Sequence, residues 1–422
     1  MTPQEGRWPK TIEGSLKARV GVIYPYPWPL PNLVDVAALL RDRGYVVDLL
    51  AAREAVGSSL DWTTQLSCDL VGHPGVLTGR FTQTPGWMRG RGYRPYRRAA
   101  FHVGRASLVH RMRRRPESDR YVALVGCDAE GVLEAAQLAR SLRIPYLYWS
   151  LEIATYHADM TRAERALKDG EAAVSRNAAA VIVQDQWRAR LLATENGLEG
   201  VRIVYLPNSR RQVARLPEGT STLRSRLGIP QDVHLVIYTG FLADWAECRG
   251  IGQSAADWPS GTALLLNSRA AADRSLADRF RSLAPPGRVY VNPDPVPDSE
   301  YGALLRSASV GVALYSPKES PPGFRQNLEV IGFSSGKIAD YLQYGLPVIV
   351  GMNRGPRELV KEFDCGVCVE DPREIGAALR RILADRPSFS QRARACFAER
   401  LALEPGVSAL ADCLDSLREQ GR

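Results

Sequence analysis

The sequence predicts an α/β protein of two doubly wound, Rossmann-like domains with parallel sheets, facing each other across a cleft. Three observations carry that expectation. The chain has 422 residues, which at roughly 100–200 residues per domain suggests two domains. Short apolar runs of strand length alternate with segments of helical period, and parallel strands joined in this way need helical crossovers. The alternation is broken once by a polar, turn-rich stretch, so it falls into two similar halves.

Composition narrows the class. Hydrophobic residues make up 45% and charged residues 24% of the chain, enough apolar material for two cores in a globular protein. No apolar run approaches the roughly 20 residues that a membrane span requires. Residues 1–17 are polar, lack the apolar stretch of a secretory signal, and read as a flexible leader. Seven scattered cysteines, an odd number, argue against a disulfide framework and for a reducing cytosol. Cys365 and Cys368 share a C-x-x-C spacing, but nothing nearby completes a zinc site, so they read as small apolar residues at a turn.

The first half spans residues 18–208. ARVGVIYPYP is a strand running into a proline-rich loop. LVDVAALLRDRG follows as a helix with Leu33, Val36, Ala37 and Leu40 on one face and Gly44 as its stop. YVVDLLAA, YVALVGCD, IPYLYWSLE, AAVIVQD and VRIVYLPNS read as further strands. Between the later ones lie helices in AEGVLEAAQLARSLR, TRAERALKDGEAAVSRN and WRARLLATENG. Residues 209–232 are polar and read as a linker. The second half, residues 233–386, repeats the pattern from VHLVIYTG through GTALLLNS, GRVYVNP, SVGVALYS, LPVIVGM and CGVCVE, with helices in between. Residues 387–422 have a helical pattern. In such a pair of domains the ligand site lies in the cleft, at the carboxyl ends of the strands.

The chemistry concentrates in IGFSSGKIADYLQYGLPVIVGMNRGPRELV, residues 331–360. Ser334, Ser335 and Gly336 form a turn of small residues opening a helix, with Lys337 in its first turn. A helix N-terminus presents unpaired N–H groups and a partial positive charge, which suit a phosphate. Gly336 lets a pyrophosphate approach the backbone, and Lys337 adds a point charge. Asp340 follows about one turn later, where a carboxylate can accept both hydroxyls of a ribose. Gly345 ends the helix, and Pro347 opens the next strand.

This segment resembles the nucleotide-binding motif of GT-B glycosyltransferases, in particular the retaining group known as family 4. The resemblance implies GT-B architecture, a nucleoside-diphosphate sugar as donor substrate, Asp340 on the donor ribose, and a C-terminal tail that crosses back to the first domain. It also exposes a departure. The fuller family pattern carries two glutamates separated by seven residues, the first contacting the donor sugar, and that position here is Gly332. VIYTGFLADWAECRG is similar to the family's second donor station, with Gly240 and Phe241 opening the loop and Arg249 as the cation expected to join Lys337 on the diphosphate. Asn292, Pro293 and Val296 resemble the loop whose backbone covers the nucleobase. On the first domain, Glu152 and His157 fall where related enzymes carry polar groups at the cleft edge. They are the candidate catalytic residues on the acceptor side. No metal motif or cofactor motif appears, so no metal and no cofactor are expected beyond the donor.

The formal charge of +9 is concentrated between Arg89 and Arg115, where ten arginines meet no acidic residue and no lysine. Three readings remain for that segment: an anionic membrane or lipid-diphosphate acceptor surface, a nucleic-acid face, and a solvated loop. The resemblance favours the first over the second. The expectation is therefore transfer of a glycosyl group, with retention, to a glycan, a lipid-linked sugar or a small molecule. The location expected is the cytoplasm, peripheral at the inner membrane face, with no nucleic-acid partner. Two rivals stand beside it: a nucleotide-sugar epimerase of the same architecture, and a non-catalytic nucleotide-sugar or glycan-binding protein.

Overall fold

The structure, a computed structural model, describes residues 18–26, 31–51, 105–106, 108–211, 222–269 and 271–420. The expected α/β architecture is present as two six-stranded, all-parallel sheets. The first contains β1 (Ala18–Tyr24), β2 (Tyr45–Ala51), β3 (Tyr121–Cys127), β4 (Tyr146–Trp149), β5 (Ala180–Val183) and β6 (Ile203–Tyr205), in the order β2-β1-β3-β4-β5-β6. The second contains β7 (His234–Gly240), β8 (Thr262–Ser268), β9 (Val289–Asn292), β10 (Val310–Ala313), β11 (Val348–Val350) and β12 (Gly366–Cys368), in the order β12-β11-β10-β7-β8-β9. The order reverses between β1 and β3 in the first sheet and between β7 and β10 in the second. At such a reversal neighbouring crossovers diverge and leave a crevice beyond the strand ends.

Helices cover both sheets. In the first half they are α1 (Pro31–Asp42), α2 (Asp128–Leu142), α3 (Arg162–Ser175) and α4 (Gln186–Asn196). The face read from α1 is the buried one: Leu33, Val36, Ala37 and Leu40 are all at most 4% exposed. Gly44 follows with φ 89°, a backbone that glycine adopts without a Cβ clash. Thr161 and Glu164 form a reciprocal capping box at the start of α3. Asp185 caps α4 through Trp187 and Arg188 N–H, and Gly197 closes it at φ 65°.

The second half carries α5 (Thr222–Arg226), α6 (Cys248–Ser254), α7 (Arg274–Arg281), α8 (Asp298–Arg306), α9 (Arg325–Glu329), α10 (Gly336–Gln343), α11 (Arg354–Phe363), α12 (Ile375–Ala384), α13 (Arg386–Cys396) and α14 (Leu403–Gln420). Part of the segment read as linker is core here. Leu223 of α5 and Ile229 are buried with Leu304, Leu305 and Ile338, because two apolar side chains six residues apart gain more from burial than from an extended path through water. Residues 212–221 of that segment lie outside the described residues. The last helix, α14, packs Leu403, Val407, Leu410 and Leu414 into the first core beside β1 and α1.

Candidate active site

The site is assembled where the second sheet reverses. β7 ends at Gly240 with φ 151°. A Cβ there would stand 2.8 Å from the Tyr238 hydroxyl and 2.9 Å from Lys337 Nζ, so the lysine needs a glycine at this position. Lys337 projects from the first turn of α10, and its Nζ lies 4.1 Å from the ring centre of Tyr238 and 5.0 Å from that of Tyr315. Trp245 stacks on Tyr315 at 6.3 Å with the planes 10° apart. Burial lowers the ammonium to about 8, with Cys248 opposing the shift and the Arg269 charge adding to it. Ser335 begins the helix with its hydroxyl 2.5 Å from that of Tyr315. A Cβ at Gly336 would stand in ordinary contact with Asn208, the nearest atom being its carbonyl oxygen at 3.6 Å.

One turn along, Asp340 Oδ2 lies 3.1 Å from the Tyr301 hydroxyl, which is also 3.1 Å from Thr239 Oγ1. Burial raises the Asp340 carboxyl, while Arg210, the Tyr301 bond and Arg269 oppose that shift. Arg210 is itself anchored across the cleft on Asp35 of α1 at 2.8 Å. Arg249 takes a different position from the one expected. It is 59% exposed and faces Asp244 at 3.8 Å. The guanidinium whose charge reaches Lys337 and Asp340 is that of Arg269. It follows β8 directly, and its N–H donates to the Gly240 carbonyl at 3.0 Å. A cation directly after an apolar strand was the signal in LLLNSR.

Phe241 is 52% exposed, and its carbonyl accepts the Tyr238 hydroxyl at 2.6 Å. In the loop compared with a nucleobase cover, Asn292 Nδ2 donates to Asn267 Oδ1 at 2.8 Å and to the Asp294 carbonyl at 2.7 Å. Asn292 and Pro293 line a cavity of about 610 Å³ with Arg226 and Arg274. Val296 packs against the core of the second half instead.

On the first-domain side, β3 is followed directly by Asp128, a non-glycine residue with φ 53°. Its Oδ1 accepts the N–H groups of Leu151 at 2.6 Å and Glu152 at 2.9 Å, which suspends the turn after β4. Burial raises this carboxyl to about 8 against those two bonds. Glu152 is exposed, and its Oε2 accepts from Asn327 Nδ2 of α9 at 2.8 Å. His157 lies against Gly323, where a Cβ would be 3.1 Å from its ring, and its buried Nδ1 has no hydrogen-bond partner among the described residues.

Sequence reasoning missed the residue that joins the halves, Arg188. It is wholly buried. Its Nη1 donates to Asn327 Oδ1 at 2.7 Å and Ser334 Oγ at 3.1 Å, and its Nη2 donates to the Leu151 carbonyl at 2.7 Å. Ser334 is thereby committed to the contact between the halves, since its hydroxyl also donates to the Ile331 carbonyl. Asp185 Oδ2 accepts Phe333 N–H at 2.9 Å. That contact accounts for Gly332: a Cβ there would stand 2.3 Å from Asp185 Oδ2, and the residue sits at φ 35°. A glutamate at this position is excluded sterically and would be repelled by the aspartate.

Of the arginine segment, residues 89–104 lie outside the described residues. Arg105 meets Glu134 at 3.7 Å and Arg115 meets Asp119 at 2.7 Å, whereas Arg111, Arg113 and Arg114 are exposed. No helix among the described residues is long and apolar enough to cross a membrane. Among those residues no group of three or more His, Cys, Asp or Glu could hold a metal ion. Cys365 and Cys368 are both free thiols.

Two six-stranded parallel sheets with alternating helices, each sheet reversing its strand order once, make this the GT-B fold. No family model matches the chain, and no curated protein matches it. Solved structures do. Sucrose-phosphate synthase from Thermosynechococcus elongatus aligns at 16% identity and TM-score 0.68, covering 95% of this chain and 99% of that one. HepE from Anabaena, solved in complex with UDP, aligns at 15% identity and TM-score 0.66, covering 95% and 100%. WaaG, a glycosyltransferase involved in lipopolysaccharide biosynthesis, aligns at 14% identity and TM-score 0.57, covering 94% and 99%. At these identities the likeness is one of fold.

Proposed function

We propose that the chain transfers a glycosyl group from a nucleoside-diphosphate sugar to an acceptor hydroxyl. The observation that carries this reading is Lys337: an enclosed ammonium at a helix N-terminus, beside a strand-ending glycine, with aromatic faces and no carboxylate against it among the described residues. Such a cation calls for an anion, and the unpaired N–H groups of the helix start at Gly336 suit a diphosphate. Arg269 supplies the second positive charge, and Asp340 accepts the ribose hydroxyls. In the transfer, the bond from the anomeric carbon to the diphosphate breaks and the acceptor oxygen bonds to that carbon. The acceptor proton leaves with the nucleoside diphosphate. Resemblance of residues 331–360 to a retaining group supports retention. The exposed Arg111, Arg113 and Arg114 support an acceptor presented at an anionic surface.

The test is thermal denaturation of the purified protein with a panel of nucleoside diphosphates. UDP comes first, because HepE was solved with UDP and with UDP-glucose. One of them should raise the Tm, as any ligand selective for the native state does. Asp340→Ala should weaken that ligand by roughly tenfold or more, the worth of a lost charged hydrogen bond. A panel without effect would overturn the reading. Release of sugar or its transfer by the same preparation separates an enzyme from a binding protein.

A further inference from the structure

We infer that Glu152, a first-domain residue, contacts the sugar of the donor and selects a neutral, hydroxylated glycosyl unit over an anionic one. The inference rests on the proposed donor site and deepens it. Glu152 is exposed to the cleft, yet it is held from the opposite half: Oε2 accepts from Asn327 Nδ2 at 2.8 Å. The amide can face only this way. Its Oδ1 is already taken by Arg188 Nη1 at 2.7 Å and Ile153 N–H at 3.1 Å, leaving the NH2 to meet the carboxylate. The backbone of Glu152 is fixed as well, through its N–H on Asp128. Glu152 is exposed and its Oε1 receives no hydrogen bond among the described residues, which leaves that oxygen as an acceptor for a ligand.

Its position relative to the diphosphate follows from Tyr315. That hydroxyl touches Ser335 at the head of α10, and the Tyr315 ring lies against Lys337. Burial raises the Tyr315 hydroxyl, the Ser335 bond opposes this, and the Glu152 charge adds to the rise. Contacts bring Glu152 to that turn: its partner Asn327 shares Arg188 Nη1 with Ser334 Oγ, the residue before Ser335, so Glu152 stands beside the turn proposed to face the phosphates. A carboxylate with a free oxygen accepts hydrogen bonds from sugar hydroxyls, and it repels a sugar carboxylate. Among the described residues, three cations of this site are engaged elsewhere. Arg188 is committed to Asn327, Ser334 and Leu151, while Lys337 and Arg269 face the diphosphate. The same place on the second half is closed to a carboxylate by the contact of Gly332 with Asp185. Glu152 is thus the donor-site carboxylate supplied across the cleft, and Asn327 is its positioning residue.

Calorimetry on the full chain tests this with three ligands of one nucleotide: the diphosphate, its glucose ester and its glucuronate ester, taking UDP first. The wild type should bind the glucose ester more tightly than the diphosphate, and the glucuronate ester no more tightly than the diphosphate. Glu152→Gln should remove roughly tenfold of affinity for the glucose ester while leaving the diphosphate unchanged. Asn327→Asp keeps a partner for Arg188 but repels Glu152. It should lose the same increment, again with diphosphate affinity intact, whereas a merely structural role would weaken both ligands. If the diphosphate binds but the glucuronate ester is preferred, this inference alone fails. The same holds if Glu152→Gln leaves the glucose increment unchanged or shifts only the acceptor KM. If no nucleoside diphosphate binds the wild type, the proposed function fails first and takes the inference with it.

Discussion

Lys337 is most costly to the protein when its cleft is empty. Its folded value of about 8 lies below the ordinary 10.5, so between those values the unfolded chain holds a proton that the native state has released. Burying the charged lysine therefore costs the free protein stability in full below about pH 8, and that cost is relieved as pH rises from about 8 to 10.5. A diphosphate reverses the preference by favouring the charged form. Binding above pH 8 must then take up a proton, and affinity should fall toward tenfold per pH unit, while staying level from pH 7 to about 7.5. Calorimetry at pH 8.5 in buffers of different ionisation enthalpy would report the proton, and Lys337→Met should abolish both the uptake and the slope. A flat wild-type profile from pH 7 to 9 would remove Lys337 from the diphosphate. Lys337 and Asp340 were readable because both stand within one short motif. Arg188 was not, because nothing in WRARLL separates a solvated helical arginine from one that closes a cleft.

At the scale of elements, the turn of residues 331–336 does two jobs. Its far end opens α10, where we propose the phosphates bind, and its near end docks on the first half. Asp185 caps α4 through Oδ1 and holds Phe333 through Oδ2, so one side chain fixes both a helix start and the turn facing it. Asn208 adds two further bonds, its backbone N–H donating to the Phe333 carbonyl at 2.8 Å and its Nδ2 to the Ser334 carbonyl at 3.0 Å. Gly332→Ala places a methyl group 2.3 Å from the aspartate oxygen and 3.6 Å from Gly355 Cα. The substitution should cost about 1–3 kcal/mol through strain at positive φ and a displaced cap. Denaturant unfolding would show it as a lower midpoint, and an unchanged midpoint would mean the turn and α4 move apart freely. The strands and long helices were legible from period alone. α5 and α9 were not, since five residues are too few to display a helical period.

At the scale of the molecule, the two halves share more than a cleft. α14 belongs by sequence to the end of the second series but by packing to the first core, where Leu403, Val407 and Leu414 are wholly buried. Each such side chain is worth about 1.5–3 kcal/mol when removed from water. Deleting residues 403–422 should therefore unfold the first half rather than the second, seen as loss of cooperative melting or as aggregation. A truncated chain that melts like the full one would refute that. By itself the sequence determined the two parallel α/β halves, the helix faces, and the short motif from Ser334 to Asp340 that we propose faces the phosphates. These rest on local period and on residues a few positions apart, which the covalent chain already places together. The tertiary structure decided which strand ends became neighbours, and with that the rest of the site. Gly240, Lys337 and Tyr315 come from three elements joined only by the reversal between β7 and β10. Arg269 replaces Arg249 beside Lys337 because β8 lies next to β7. Glu152 meets Asn327 across 175 positions of chain, a separation at which only the closing of one half on the other, and no local pattern, can select the partner.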